Sequence, residues 1–176
     1  MKKISKFLCC LSVAVIFTGC YKHTPKEIAA LADVKEVALD MASLSKEEVD
    51  VIIITHVKKR QTKDSYTFTF FVDGKEIKES VKGEKEKESN LAEERGEGIH
   101  YTLIKRLRVK PGVHEIALKS EEGHSSKIER ELIGGKTYTV RFDPIYGPAK
   151  FGRPKNFWEG VIDFEASFEI GNHLRE

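Results

Sequence analysis

Residues 162–170 read IDFEASFEI. Ile162, Phe164, Ala166, Phe168 and Ile170 occupy every second position, and Asp163, Glu165, Ser167 and Glu169 fill the places between. A side-chain period of two belongs to a β-strand with one dry and one wet face; a helix would repeat every 3.6 residues. This segment is the cleanest of its kind in the chain, and the same signal recurs upstream.

Val51, Ile53, Thr55 and Val57 alternate with Ile52 and Ile54, which predicts a strand buried on both sides near its start. Tyr66, Phe68, Phe70 and Val72 form the next row, and Asp73-Gly74 is a hairpin turn signal leading into Lys75-Glu76-Ile77. Further rows follow: Tyr101, Leu103, Leu107 and Val109; then His114 to Leu118; then Ile128, Arg130 and Leu132; then Tyr138, Val140 and Phe142. Pro111-Gly112, Glu122-Gly123 and Gly134-Gly135 supply turns between them. About seven short strands separated by turns predict an all-β, antiparallel β-sandwich over residues 50–176. The stretch 78–98, KESVKGEKEKESNLAEERGEG, offers few apolar groups and is expected as a charged, mobile loop.

The N-terminus has a different grammar. Lys2, Lys3 and Lys6 precede an apolar run from Phe7 to Phe17, broken by Ser12. A run of about a dozen residues is short of the roughly 20 that span a bilayer as a helix, and fits the apolar region of a secretory signal. Phe17-Thr18-Gly19-Cys20 resembles the lipobox of bacterial lipoproteins, with Phe where Leu is usual. The resemblance implies removal of residues 1–19 and acylation of Cys20, with palmitate or a similar chain added. Two or three acyl chains anchor stably where one is marginal. Tyr21, rather than Asp, follows the cysteine; by resemblance to lipoprotein sorting this favours the outer membrane.

Loss of residues 1–19 would take three lysines and no acid, leaving 27 of the 30 basic residues against 28 acidic ones. A near-neutral, mixed chain gives no basic footprint for nucleic acid. Cys9 and Cys10 would leave with the leader, and Cys20 would carry lipid, so no thiol would remain for a disulfide, nucleophile or metal. Residues 20–49 are expected as a tether or short helix, with Thr24 as N-cap, Pro25 at the first helical position and Glu27 completing a capping box. Past Val34 the pattern is equally that of a short strand, through Val37 and Leu39.

Three pieces resemble the small immunoglobulin- or transthyretin-like envelope domains of the PEGA-like group: Val72-Asp73-Gly74-Lys75, the turn and strand from Val109 to Ile116, and Gly135-Lys136-Thr137-Tyr138-Thr139-Val140. Together they span residues 66–142 with their flanking strands. That resemblance implies a sandwich with a binding or structural role and carries over no catalytic residue.

Candidate chemistry is sparse. His23, His56, His100, His114, His124 and His173 are dispersed, without a helical i, i+4 pair or an H-x-H, so no metal site and no cofactor are expected. His114 reads as a partly buried strand residue. No nucleophile elbow or phosphate-cradling glycine loop occurs, and the acids fall on wet faces, so enzyme activity is not expected. The segment 143–160, DPIYGPAKFGRPKNFWEG, gathers Tyr146, Phe157 and Trp158 with Arg153 among three prolines. The preferred reading has Phe157 and Trp158 capping the open end of the sandwich; the other makes these four residues ligand contacts. The expected function is a non-enzymatic, membrane-anchored envelope lipoprotein that docks another envelope protein or serves a structural role. The alternative is a module binding cell-wall glycan or another carbohydrate through the 143–160 loop.

Overall fold

The computed structural model describes residues 34–39, 44–60, 63–147 and 155–172. The leader, Cys20, the helix start at Thr24 and Arg153 lie outside them. Among the described residues ten strands follow in order: β1 (Lys35–Glu36), β2 (Val49–Lys59), β3 (Ser65–Val72), β4 (Lys75–Lys82), β5 (Glu84–Glu86), β6 (Gly98–Val109), β7 (Gly112–Lys119), β8 (Ser125–Leu132), β9 (Thr137–Tyr146) and β10 (Val161–Ile170).

The strands form two packed sheets. The larger runs β1-β6-β2-β9-β10, with β5 also paired to β6, and the smaller runs β4-β3-β7-β8. The all-β expectation holds, but the expectation of purely antiparallel pairing does not. β2 and β9 run parallel, Asp50 opposite Thr137 through Thr55 opposite Phe142. Local turns cannot make such a pair, because parallel strands need a long crossover; here β3 to β8 supply it.

β2 is buried on both faces, as its run of three isoleucines requires. Val49, Val51, Ile53 and Val57 join Tyr66, Phe68 and Phe70 of β3, Tyr101 and Leu107 of β6, Leu118 of β7, and Val140 and Phe142 of β9 in one core. Each such side chain stabilises the fold by about 1.5–3 kcal/mol when fully buried. On the opposite face of β2, Asp50 is buried between two arginines of β6. Arg106 donates to it through Nε at 2.9 Å and through Nη2, and Arg108 through Nε at 2.7 Å and Nη2 at 3.1 Å.

The hairpin at Asp73-Gly74 forms as expected: both residues have positive φ, 51° and 81°, the geometry of a tight turn matched to strand twist. Asp73 also bonds the neighbouring hairpin, accepting from Glu115 N at 3.0 Å and lying 2.6 Å from His114 Nδ1. His114 is accordingly a buried strand residue.

Two expectations need correction. The segment 78–98 is not a single loop. Its first part completes β4, an edge strand whose Ile77 and Val81 pack on the core while Lys and Glu alternate outward. Its middle forms β5, and Ala92–Glu94 makes a 3-10 turn. Charge alternation here marks strands with one wet face and unpaired edges, which charged side chains protect. In β10 the register shifts between Val161 and Asp163, so Val161 turns inward and Ile162 outward. The dry row is Val161 and Phe164, backed by Ala166 and Phe168, while Ile162 and Ile170 are exposed.

Candidate functional site

The large sheet carries a polar cluster where β2 ends. Beyond Ile54 the outward positions of β2 become His56 and Lys58. β6 runs antiparallel beside it, with Lys58 opposite His100 and His56 opposite Thr102. His56 and His100 are therefore diagonal neighbours on one face, close enough for side chains to meet. Their rings stand edge to face, centroids 5.2 Å apart.

The 3-10 turn after β5 brings Glu94 against this pair. Its side chain is 1 % exposed, with His56 at 14 % and His100 at 26 %. Glu94 Oε1 lies 3.1 Å from His56 Nε2, and Oε2 lies 3.9 Å from His100 Nε2. Tyr146 Oη donates to Oε1 at 2.6 Å and accepts from Lys58 N at 2.9 Å; Ser89 Oγ donates to Oε2 at 3.4 Å. The buried ammonium of Lys58 donates to the Glu94 carbonyl at 2.8 Å, lies 2.8 Å from Glu86 Oε2 and sits over the Phe157 ring.

This packing sets the charge states. Burial works to raise the Glu94 carboxyl, but the His56 imidazole 3.1 Å away, the hydrogen bond from Tyr146 and the field of His100 outweigh it and hold the group below its usual range. Burial lowers His100 despite the nearby Glu94 charge. Burial and Glu94 together push the Tyr146 phenol well above its ordinary value, so it stays a donor. Asp143 is raised, by burial first, with His56 and Arg141 opposing. An ionised carboxylate beside imidazoles is a donor set that a metal ion can use, and His56, Glu94 and His100 are the one such group among the described residues.

The four residues singled out by sequence fare differently. Tyr146 and Phe157 are buried, at 1 % and 2 % exposure, and belong to the core, so neither offers a surface to a ligand. Tyr146 instead supports Glu94 from below. Trp158 is 55 % exposed. It projects from the 3-10 turn Phe157–Glu159, whose first free amide is capped by the Asn156 side chain at 2.9 Å, and the Arg60 guanidinium lies 5.8 Å from its ring. Phe157 therefore packs into the core, and Trp158 does not. Arg153 lies outside the described residues.

Sequence reasoning missed His56, Lys58, Glu94 and His100. The two histidines are far apart in the chain, and only the β2–β6 register makes them neighbours. For Tyr146 a signal existed: it continues the inward row Tyr138, Val140, Phe142 at even spacing. Compared with known proteins, no family model matches this chain and no curated protein sequence matches it.

Proposed function

We propose that this chain is a lipid-anchored envelope lipoprotein whose β body acts as a non-enzymatic protein-interaction or structural module, held at the outer membrane. The observation that carries the reading is Phe17-Thr18-Gly19-Cys20 directly after a basic and then apolar leader. Acyl chains on Cys20 would supply the membrane attachment; among the described residues no helix is long and apolar enough to cross a bilayer. The two-sheet body is consistent with an immunoglobulin- or transthyretin-like domain of the PEGA-like kind. The three resembling pieces fall on the β3–β4 hairpin, the β6–β7 turn and strand, and the approach to β9.

A docking role draws support from the Trp158–Arg60 corner, since Trp and Arg are the side chains that most often anchor interfaces. Radiolabelled palmitate should enter the wild-type chain and not Cys20→Ser. Crosslinked envelopes should then yield a reproducible protein partner that is lost with Trp158→Ala. An unmodified N-terminus in native mass spectrometry would overturn the anchoring, and the absence of any reproducible partner would overturn the docking role.

The exposure of Trp158 also favours a second reading, in which the indole stacks on a sugar ring of the cell wall with Arg60 beside it. Sedimentation with purified sacculi that is lost in Trp158→Ala would favour this reading over a protein partner.

A further inference from the structure

We propose that His56, Glu94 and His100 bind one divalent transition-metal ion of the zinc class, through His56 Nε2, His100 Nε2 and the Glu94 carboxylate. The site is independent of lipid anchoring and of the Trp158 corner.

Spacing is the first argument. Zinc sits about 2.0–2.1 Å from imidazole nitrogen and about 2.0–2.2 Å from carboxylate oxygen, so tetrahedral donors stand roughly 3.3 Å apart. The donor atoms here are separated by 3.1 Å and 3.9 Å along the two histidine–glutamate edges. All three lie within 4.8 Å of one another. Small side-chain rotations, with no backbone movement, would close them on an ion.

Two buried ring nitrogens at the site also go unpaired. His56 Nε2 and His100 Nε2 are both shielded from solvent and both lack a hydrogen-bond partner of proper geometry. Buried polar atoms are normally paired, and such exceptions call for an explanation. Both nitrogens border the same carboxylate, and an ion between them would satisfy both.

The support around the donors is that of a built site. Both histidines stand on paired strands, and Tyr146 and Ser89 hold the Glu94 carboxylate in place. Glu86 Oε2 lies 4.0 Å from His100 Nδ1, on the side away from Glu94, and adds negative charge beside the imidazole without a hydrogen bond to it. Lys58 is the adverse charge, but it is already paired with Glu86 and the Glu94 carbonyl.

Two imidazoles and one carboxylate favour zinc and its first-row neighbours. Calcium and magnesium take oxygen ligands, and copper(I) prefers sulfur. Three protein donors leave a position open to water or to a group from another molecule.

The test uses the untagged full-length chain in detergent with its three cysteines alkylated, so that thiols cannot bind the ion. Cobalt(II) should bind at one equivalent with a visible d–d absorption that zinc displaces. Affinity should fall on the order of tenfold or more in His56→Ala, His100→Ala and Glu94→Gln. It should be unchanged in His124→Ala, at the β7–β8 turn. A measurement on the unmutated protein guards against variants that misfold: zinc should shift the Nε2 resonances of two histidines and leave the others in place. Histidine resonances unmoved by zinc would overturn the proposal. So would cobalt affinity that is equal in His124→Ala and in folded His56→Ala and His100→Ala.

Discussion

Asp50→Asn is expected to cost the fold about 3 kcal/mol. The Asp50 side chain is fully buried and accepts four hydrogen bonds from Arg106 and Arg108, whose side chains are 8 % and 12 % exposed. Neutralising it leaves two guanidiniums side by side without the anion between them. Breaking a buried ion pair by removing one partner costs about 3–5 kcal/mol. The lower end applies here, because both arginines reach water at their edges and the amide oxygen of Asn still accepts. For a domain of this size the melting temperature should fall by roughly 10 °C.

Urea unfolding followed by far-UV circular dichroism, at several pH values, measures the effect. Burial alone would raise the Asp50 carboxyl, but the hydrogen bonds and charges of Arg108 and Arg106 prevail and keep it below its usual 3.8. A carboxyl depressed in the folded state stabilises fully above its unfolded value and loses that contribution as pH falls through the folded one. The gap between wild type and variant should therefore hold steady from neutral pH to about 5 and shrink below about 4. A gap under about 1 kcal/mol at pH 7 would refute the reasoning, because exposed pairs are worth no more than that. A gap that persists undiminished in acid would refute it equally.

Three further outcomes follow from the packing. Phe157→Ala should destabilise by about 3–5 kcal/mol, since the ring is buried, whereas Trp158→Ala should change stability by less than about 1 kcal/mol; equal losses in urea unfolding would contradict the exposure seen here. Gly134→Ala would place a methyl 1.9 Å from the Lys46 carbonyl oxygen, forcing the backbone apart at a cost of about 1–3 kcal/mol, and an unchanged denaturation midpoint would contradict that approach. Tyr146→Phe removes the hydroxyl shared by Lys58 N–H and Glu94; it should cost about 1–3 kcal/mol and raise the Glu94 carboxyl, which carbon-13 titration of glutamate side chains would detect.

Strand periodicity made most of the fold legible, because one-sided burial writes itself into alternate residues. The rows of β3, β6 and β9 were readable residue by residue. The pattern misled where a backbone irregularity intervened: the shift after Val161 turns Ile162 outward, and no side-chain pattern announces it. It also misled where few apolar residues punctuate a charged edge strand, so the second half of β4 read as the start of a loop. The β2–β9 pairing was invisible for another reason. Local turn signals specify hairpins, and nothing local specifies which distant strand lies beside β2. The metal-donor cluster was hidden by the same long-range geometry, since His56 and His100 share a face only through cross-strand register.

The position of β2 constrains how the chain can be made. Its neighbours, β6 and β9, are both translated later, the second of them only once residue 142 has emerged. The β3–β4 and β7–β8 hairpins need only nearby sequence and can form early. Until β9 arrives, a strand with isoleucines on both faces waits with an open edge, the kind of segment that nucleates intermolecular β-stacking. Truncation before Thr137 should therefore yield insoluble aggregate rather than a smaller soluble domain.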